Sequence, residues 1–309
     1  MIAALSLLVA VAIDALFGEP PNALHPVAWL GWLIARGRDW ALGGGRLAQF
    51  LRGILVALAI PSFAGLLAFG LVRASSHSAL LLLAATALLL KPLFAVRALG
   101  AAAFVVRDAL AAGDIAAARV GLASLCSRNA EGLDAPALIA ATVESVAENA
   151  SDSIIAPFFY FALAGLPGAA FYRACNTLDA MIGYRGRFEW VGKAAARIDD
   201  FLNFVPARLT ALLFLLVAPV SGGDAALGAR TLWRDGSRTE SPNAGRPMAT
   251  MAGLLGVRLE KVGQYALGDG TRTLEREDIT RAWRIVLGAA YVSAGLTAAM
   301  LFLLDELHV

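Results

Sequence analysis

The sequence predicts an all-α, polytopic integral membrane protein, with amphipathic helices at the membrane periphery and re-entrant helices dipping into it. Two features of composition carry that class. Of 309 residues, 59% are hydrophobic and only 16% charged, and Leu, Ala and Val gather in runs that a soluble domain of this length does not carry. The third observation is the stretch ESVAENASD, which sets Glu144, Glu148 and Asp152 at steps of four. On a helix these carboxylates form one stripe, and like charges at that spacing repel, so a cation should lie against them. Ile154 to Tyr172 follows, nineteen residues without a charge, which puts the stripe at a membrane boundary. Carboxylates there are candidate functional groups; the alternative is a solvated face paired with arginines. One membrane-embedded domain over 1–309 is expected.

Several classes are excluded. A net charge of +2 with scattered basic residues gives no footprint for nucleic acid. Cys126 and Cys175, and His25, His77 and His308, have no zinc or haem spacing. Gly43-Gly44-Gly45 leads into Arg46 rather than a P-loop lysine, so no phosphate-cradling loop is apparent.

Along the chain, Ile2 to Phe17 reads as a retained membrane helix, since a basic leader and a small-residue cleavage site are both missing. Asp14 within it is expected near an interface. Trp29, Trp32 and Trp40 lie roughly along one helical face, as in a helix at headgroup level. His25 before Pro26 either meets a phosphate, relays a proton or hydrogen-bonds within its turn. Gly53 to Val72 and Ala79 to Val96 form a helical hairpin, with Lys91 expected to snorkel to the interface. Arg97 to Asp134 reads as amphipathic helices broken near Gly113-Asp114. Asp134 is the expected N-cap, and Pro136 a first-turn residue, of the helix that carries the stripe.

Beyond Tyr172, Asn176 shares a helix face with Asp179, and Asp199 with Asn203; Arg197 can pair with Asp200. Leu209 to Val220 is twelve residues long, short for a span. Ser221 to Arg284 is polar and Gly-rich, and Ile285 to Leu304 is a final span. If only 2–17, 53–72, 79–96 and 285–304 cross, every basic residue except Arg73 and Lys91 falls on one side, as positive-inside orientation requires. The segments 154–172 and 209–220 would then dip in as re-entrant or protein-buried helices.

The polar segments offer Glu144, Glu148, Asn149, Asp152, Asn176, Asp179, Asp199, Asp200 and Asn203, with Arg197 and Arg208 beside them. Hard oxygen donors suit Mg²⁺ bound together with a phosphate, and arginine suits the phosphate itself. Phosphate or acyl-phosphate chemistry is the expected class.

Five segments taken together, HPVAWLG at 25–31, ESVAENASDSIIAPFFY at 144–160, GLPGAAFYRACNTLDAMIGYR at 165–185, ARIDDFLNFVPARLT at 196–210 and SPNAGRPMATMAGLLG at 241–256, resemble the adenosylcobinamide-phosphate synthase family of membrane-bound cobalamin-biosynthesis proteins. The similarity runs over essentially the whole chain in the same order. Glu19 departs from it, standing where the family usually has aspartate in a G-D-P turn.

The resemblance implies an ATP-dependent ligase that joins aminopropanol, its phosphate or ethanolamine phosphate to the free propionate of the corrinoid adenosylcobyric acid. Such a protein would sit in the bacterial inner membrane with its site facing the cytoplasm. Its partners would be these substrates, the lipid bilayer and other membrane enzymes of late cobalamin assembly, and its cofactors Mg²⁺ and ATP. A working assignment makes Glu144, Glu148 and Asp152 catalytic, with Glu148, Asp152, Asp179, Asp199 and Asp200 on the metal. Substrate would be held by His25, Asn149, Asn176, Arg197, Asn203, Arg208, Ser241 and Asn243. Two alternatives stay open: an intramembrane prenyl transferase that holds a diphosphate at Asp199-Asp200-x-x-Asn203, and a non-catalytic regulator related to β-lactamase induction proteins.

Overall fold

A computed structural model describes residues 1–307, and the protein is 77% helical; His308 lies outside the described residues. In chain order the helices are α1 (Ile2–Phe17), α2 (Pro26–Ala41), α3 (Arg46–Ser75), α4 (Ala79–Leu90), α5 (Val96–Ala111), α6 (Ile115–Leu122), α7 (Ala135–Ala150), α8 (Ala156–Ile182), α9 (Lys193–Leu202), α10 (Phe204–Ser221), α11 (Ala225–Asp235) and α12 (Gly245–Leu255). A small antiparallel hairpin, β1 (Leu259–Lys261) and β2 (Tyr265–Leu267), precedes α13 (Arg276–Leu307).

Five apolar segments are long enough to cross a bilayer: Arg46–Ser75, Ala79–Ala111, Ala135–Ile182, Phe204–Ser221 and Arg276–Leu307; Ile2–Phe17 is shorter. The protein is therefore an all-α membrane protein, as composition predicts. Local signals set many boundaries. The Asp134 side chain accepts from Ala137 N at 3.0 Å to cap α7, Asp114 caps α6 from Ala117 N at 2.8 Å, and Asp224 caps α11 from Leu227 N at 2.9 Å, each satisfying an amide that the first turn leaves open.

The chain packs as two compact units. The first comprises Met1–Ala95, Ala156–Asn203 and the chain from Ala294 onward; the second comprises Val96–Ile155 and Phe204–Ser293. In the first, Ile34, Val56, Ala57, Ile60, Leu178 and Ile182 form an apolar core among α2, α3 and α8. Outward from it, α3 exposes Leu55, Phe63, Leu66 and Phe69, a face suited to lipid. Helix α8 is interrupted where Gly165 adopts φ +61° and ψ −156°, a conformation that favours glycine. The uncharged run 154–172 is thus a broken helix, the form tolerated at membrane depth where protein covers the freed backbone groups. In the second unit α12 is buried at every position but Arg246, and between α7 and α8 the residues Ser151–Ile155 form a π-turn.

Three sequence expectations need correction. Leu209 to Val220 is part of an eighteen-residue helix, because Arg208 does not end the run: its guanidinium lies 3.5 Å from the Phe204 ring centre and donates to Phe204 O at 2.6 Å. Lys91 does not snorkel. It is 3% exposed and sits in a turn after α4, where Pro92 ends the helix that hydropathy carried on to Val96. Asp14, in the last turn of α1, does not turn outward to an interface but is 2% exposed and faces Lys91. The polar, Gly-rich stretch from Ser221 to Arg284 contains α11, α12 and the hairpin.

Candidate functional site

In the first unit, α8 and α9 bring together Asn176, Asp199 and Asn203. Asn203 Nδ2 donates to Asp199 Oδ2 at 2.9 Å, and Asn176 Nδ2 donates to Asp199 Oδ1 at 3.4 Å. The Tyr172 hydroxyl fixes Asn203 by donating to its Oδ1 at 2.7 Å. Tyr160 stacks on Tyr172 with ring centres 4.9 Å apart and donates to Leu202 O at 2.8 Å. Arg173 donates to Asn176 Oδ1 at 3.3 Å. Asp179 lies half-buried on the same helix as Asn176, three residues on. Arg197 is exposed and lies 3.7 Å from Asp200, the pairing expected from their spacing.

Burial pushes Asp199 up to about 6; the Asn203 and Asn176 hydrogen bonds oppose the rise and the neighbouring Asp200 charge adds to it. An acid whose folded pKa lies above its unfolded value stabilises the fold below the unfolded pKa and loses that contribution as pH rises through the folded one. Between about pH 4 and 6, Asp199 should therefore make the protein less stable as pH rises. A protonated-carboxyl infrared band should disappear over that window and be missing from Asp199→Asn. A band unchanged by the substitution would contradict this.

A second polar group in the first unit surrounds Lys91, whose Nζ lies 2.8 Å from Asp14 Oδ1 and 2.7 Å from Glu19 Oε1. The other Glu19 oxygen meets His25 Nε2 at 3.0 Å, while His25 Nδ1 accepts from Val27 N at 3.2 Å and caps α2. An accepting Nδ1 puts the ring proton on Nε2, where it is donated to Glu19. Burial raises the Glu19 carboxyl, but hydrogen bonds from His25 and Lys91 outweigh it and hold the group below its ordinary value. Both nitrogens of His25 are thus engaged, and contact with a phosphate would require exchanging the Glu19 bond. The longer side chain of Glu19 reaches both partners at once.

The second unit holds the stripe. Glu144 is buried, Glu148 and Asp152 are half-buried, and Asp152 falls in the π-turn, a local widening often found at functional sites. The predicted cation is Arg128, which donates to Glu144 Oε2 at 3.2 Å. Asn149 turns its amide to Ser145 O at 2.9 Å and Leu125 O at 3.3 Å. Elsewhere in this unit Arg208 donates to Asn243 Oδ1 at 3.3 Å, and Ser241 Oγ accepts from Asn243 N at 3.3 Å. The SPNAGRP turn therefore carries a buried amide to an arginine.

The candidate metal ligands divide by unit: Glu148 and Asp152 belong to the second, Asp179, Asp199 and Asp200 to the first. Among the described residues no three His, Cys, Asp or Glu side chains form a group able to hold a metal ion alone. Mg²⁺ commonly binds through one or two carboxylates plus substrate phosphate, a mode that needs no group of three.

These groups come from the HPV, ESVAENASD, CNTLDA, IDDFLN and SPNAGRP segments. The model of the CobD/Cbib protein family matches residues 7–286. The chain belongs to the CobD/Cbib family. A cobalamin biosynthesis protein CobD of Dehalococcoides mccartyi is 46% identical over 88% of this chain and 89% of its own length. The protein of the same name from Rhodobacter capsulatus is 42% identical over 84% and 82%, and a probable one from Methanothermobacter thermautotrophicus 39% over 90% and 91%. No solved structure matches the chain.

Within this CobD/Cbib chain, sequence reasoning did not single out Arg128, Lys261 and Tyr265 around Glu144, or Tyr172 behind Asn203. The apolar run 154–172 hid Tyr172, and Lys261 and Tyr265 lie on strands of three residues, too short for periodicity to register. Burial and the facing carboxylates of Glu144 and Glu148 push the Tyr265 hydroxyl well above its ordinary range, so it remains a donor.

Proposed function

We propose that the protein acts in cobalamin biosynthesis as an amide-forming ligase, joining an amino alcohol or its phosphate to the free propionate of adenosylcobyric acid at the expense of ATP. The observation that carries the reading is the Asp199 carboxylate clasped by Asn176 and Asn203, an arrangement of hard oxygens and fixed amides suited to phosphorylated substrates. Family membership supports the pathway, the five apolar segments support a membrane location, and the one-sided distribution of Lys and Arg is what favours a cytoplasmic site.

The reaction needs the propionate activated and the amine deprotonated. Transfer of the γ-phosphoryl group of ATP to a propionate oxygen gives an acyl phosphate and ADP. The amine nitrogen then attacks the carbonyl carbon, phosphate leaves with its bonding electron pair, and the nitrogen gives up a proton. In the first unit, Asn176 and Asn203 supply paired donors and acceptors for orienting substrate. Beside them Arg197 supplies positive charge for phosphate oxygens; within the second unit, Arg208 is suited to a phosphate and the carboxylates of the stripe to an ammonium and its proton. Asp199 and Asp200 would hold Mg²⁺ shared with a substrate phosphate, and such an ion neutralises phosphoryl oxygens.

Membranes containing the protein, incubated with adenosylcobyric acid, aminopropanol phosphate, ATP and Mg²⁺, should yield the corrinoid amide by mass together with one ADP per amide. No amide with aminopropanol, ethanolamine or either phosphate, beside an active control, would overturn the reading.

A further inference from the structure

Residues 38–52 and 184–193 carry six arginines and lysines against two carboxylates, an excess of four in a chain whose whole net charge is +2. Packing in the first unit brings these distant segments together. A side chain at Gly53 would collide with the backbone of Val191, so the start of α3 rests directly on the loop between α8 and α9, and Val191 joins the core that holds Ile34 and Val56. Arg52 ties in the end of α2 by donating from Nη1 to Gly43 O at 2.9 Å and to Trp40 O at 3.3 Å. The cations of this rim lie over aromatic faces: Arg52 is 5.1 Å from the Trp40 ring centre, Arg46 and Lys193 are 5.9 and 5.1 Å from that of Trp190, and Arg38 and Arg187 are 5.9 and 5.8 Å from that of Phe188. Both carboxylates are engaged, Asp39 by Arg38 at 2.8 Å and Glu189 by Lys193 at 4.0 Å. Arg46 and Arg187 are exposed and form no ion pair among the described residues.

Helix α3 fixes the depth of the rim. Its apolar run from Gly53 to Val72 is about 30 Å long, the thickness of the hydrocarbon layer, which leaves the turns before it at headgroup level, where aromatic rings and basic side chains gather. Leu47, Leu51 and Leu55 recur at steps of four and are all exposed, so one apolar stripe leads from the cations into the hydrocarbon. Negative charge above and an acyl chain below is the chemistry of a phospholipid. A free anion would leave the stripe unused.

We propose that this rim is a binding site for an anionic phospholipid of the surrounding bilayer. Arg46 and Arg187 take the headgroup phosphate as charge-assisted partners, and an acyl chain runs along Leu47, Leu51 and Leu55. The bound lipid braces the loop that joins α8 to α9, the helices that carry Asn176 and Asp199. The site stands on charge, depth and the leucine stripe, independently of the ligase reading.

The test offers purified full-length protein in detergent an equimolar mixture of phosphatidylglycerol and phosphatidylcholine with identical acyl chains, and reads the retained lipid by native mass spectrometry. Wild type should retain phosphatidylglycerol in preference by about fivefold or more, the effect of a single cation at an anionic surface. Arg46→Gln combined with Arg187→Gln should bring the two lipids within about twofold of each other. Arg73→Gln combined with Arg258→Gln lowers the net charge equally but away from the rim, and should leave the preference as in wild type. Should the first pair fail to fold, wild type alone decides: phosphatidylglycerol with a photoreactive acyl chain should label the peptide that contains residues 47–55, and labelling confined to other peptides contradicts the site. Equal retention of the two lipids by wild type, an equal fall in both paired variants, or displacement of the lipid by millimolar inorganic phosphate overturns it.

Discussion

Lys91→Met is expected to destabilise the protein by about 3–5 kcal/mol, the range for stripping one partner from a buried ion pair. The methionine fills nearly the same volume, so the loss is electrostatic: Asp14 at 2% exposure and Glu19 keep their carboxylates and lose the ammonium that lies within 2.8 Å of both. Adding Asp14→Asn should recover a large part of the loss, because it removes one of the two buried charges whose cation the first substitution took away. The two substitutions should therefore be strongly non-additive, as residues in one network are. Thermal unfolding in detergent, followed by protease resistance, measures both. An unchanged midpoint in Lys91→Met would mean that the ion pairs contribute nothing.

Asp199→Asn is expected to lower turnover about 10²-fold or more, the scale of removing one group that stabilises developing charge, with little effect on insertion in the membrane. The substitution is isosteric and keeps a partner for Asn203, which Tyr172 still positions from the other side. Its effect should therefore be on chemistry. Arg197→Ala should do far less to stability, about 0–1 kcal/mol, because its pair with Asp200 is exposed and long. Equal turnover in Asp199→Asn and wild type, measured as amide formed per protein in vesicles, would leave the aspartate a purely structural role.

What the sequence made legible was local. The cap at Asp134, the break at Asp114, and the Asp199–Asn203 and Arg197–Asp200 pairs all depend on residues within one turn of each other, where helical geometry alone fixes the contact. The stripe and its need for a cation were legible for the same reason. Which cation answered it was not, since Arg128 reaches Glu144 from the preceding loop. Lys91 was misread because nearness to the end of an apolar run ordinarily means snorkelling, whereas its partners come from α1 and the turn after it. Helix α10 was cut short because a single arginine was taken as the end of a run, although its guanidinium folds back onto Phe204. Helix α12, buried at all positions but Arg246, gave no helical signal because its Gly, Ala and Thr residues pack closely without strong hydropathy: a side chain at Gly253 would collide with the backbone at Leu227 and Gly228.

The quartet of Asp14, Glu19, His25 and Lys91 has a consequence for descent. Four positions scattered along the sequence behave as one electrostatic unit, in which each charge is tolerable only while the others are present. Such positions cannot drift singly. A lineage that loses the lysine must first neutralise Asp14. One that shortens Glu19 to aspartate must bring the α4 turn or His25 closer to keep both bonds. Co-variation among these four columns, rather than constancy at any one of them, is the trace this arrangement should leave among relatives.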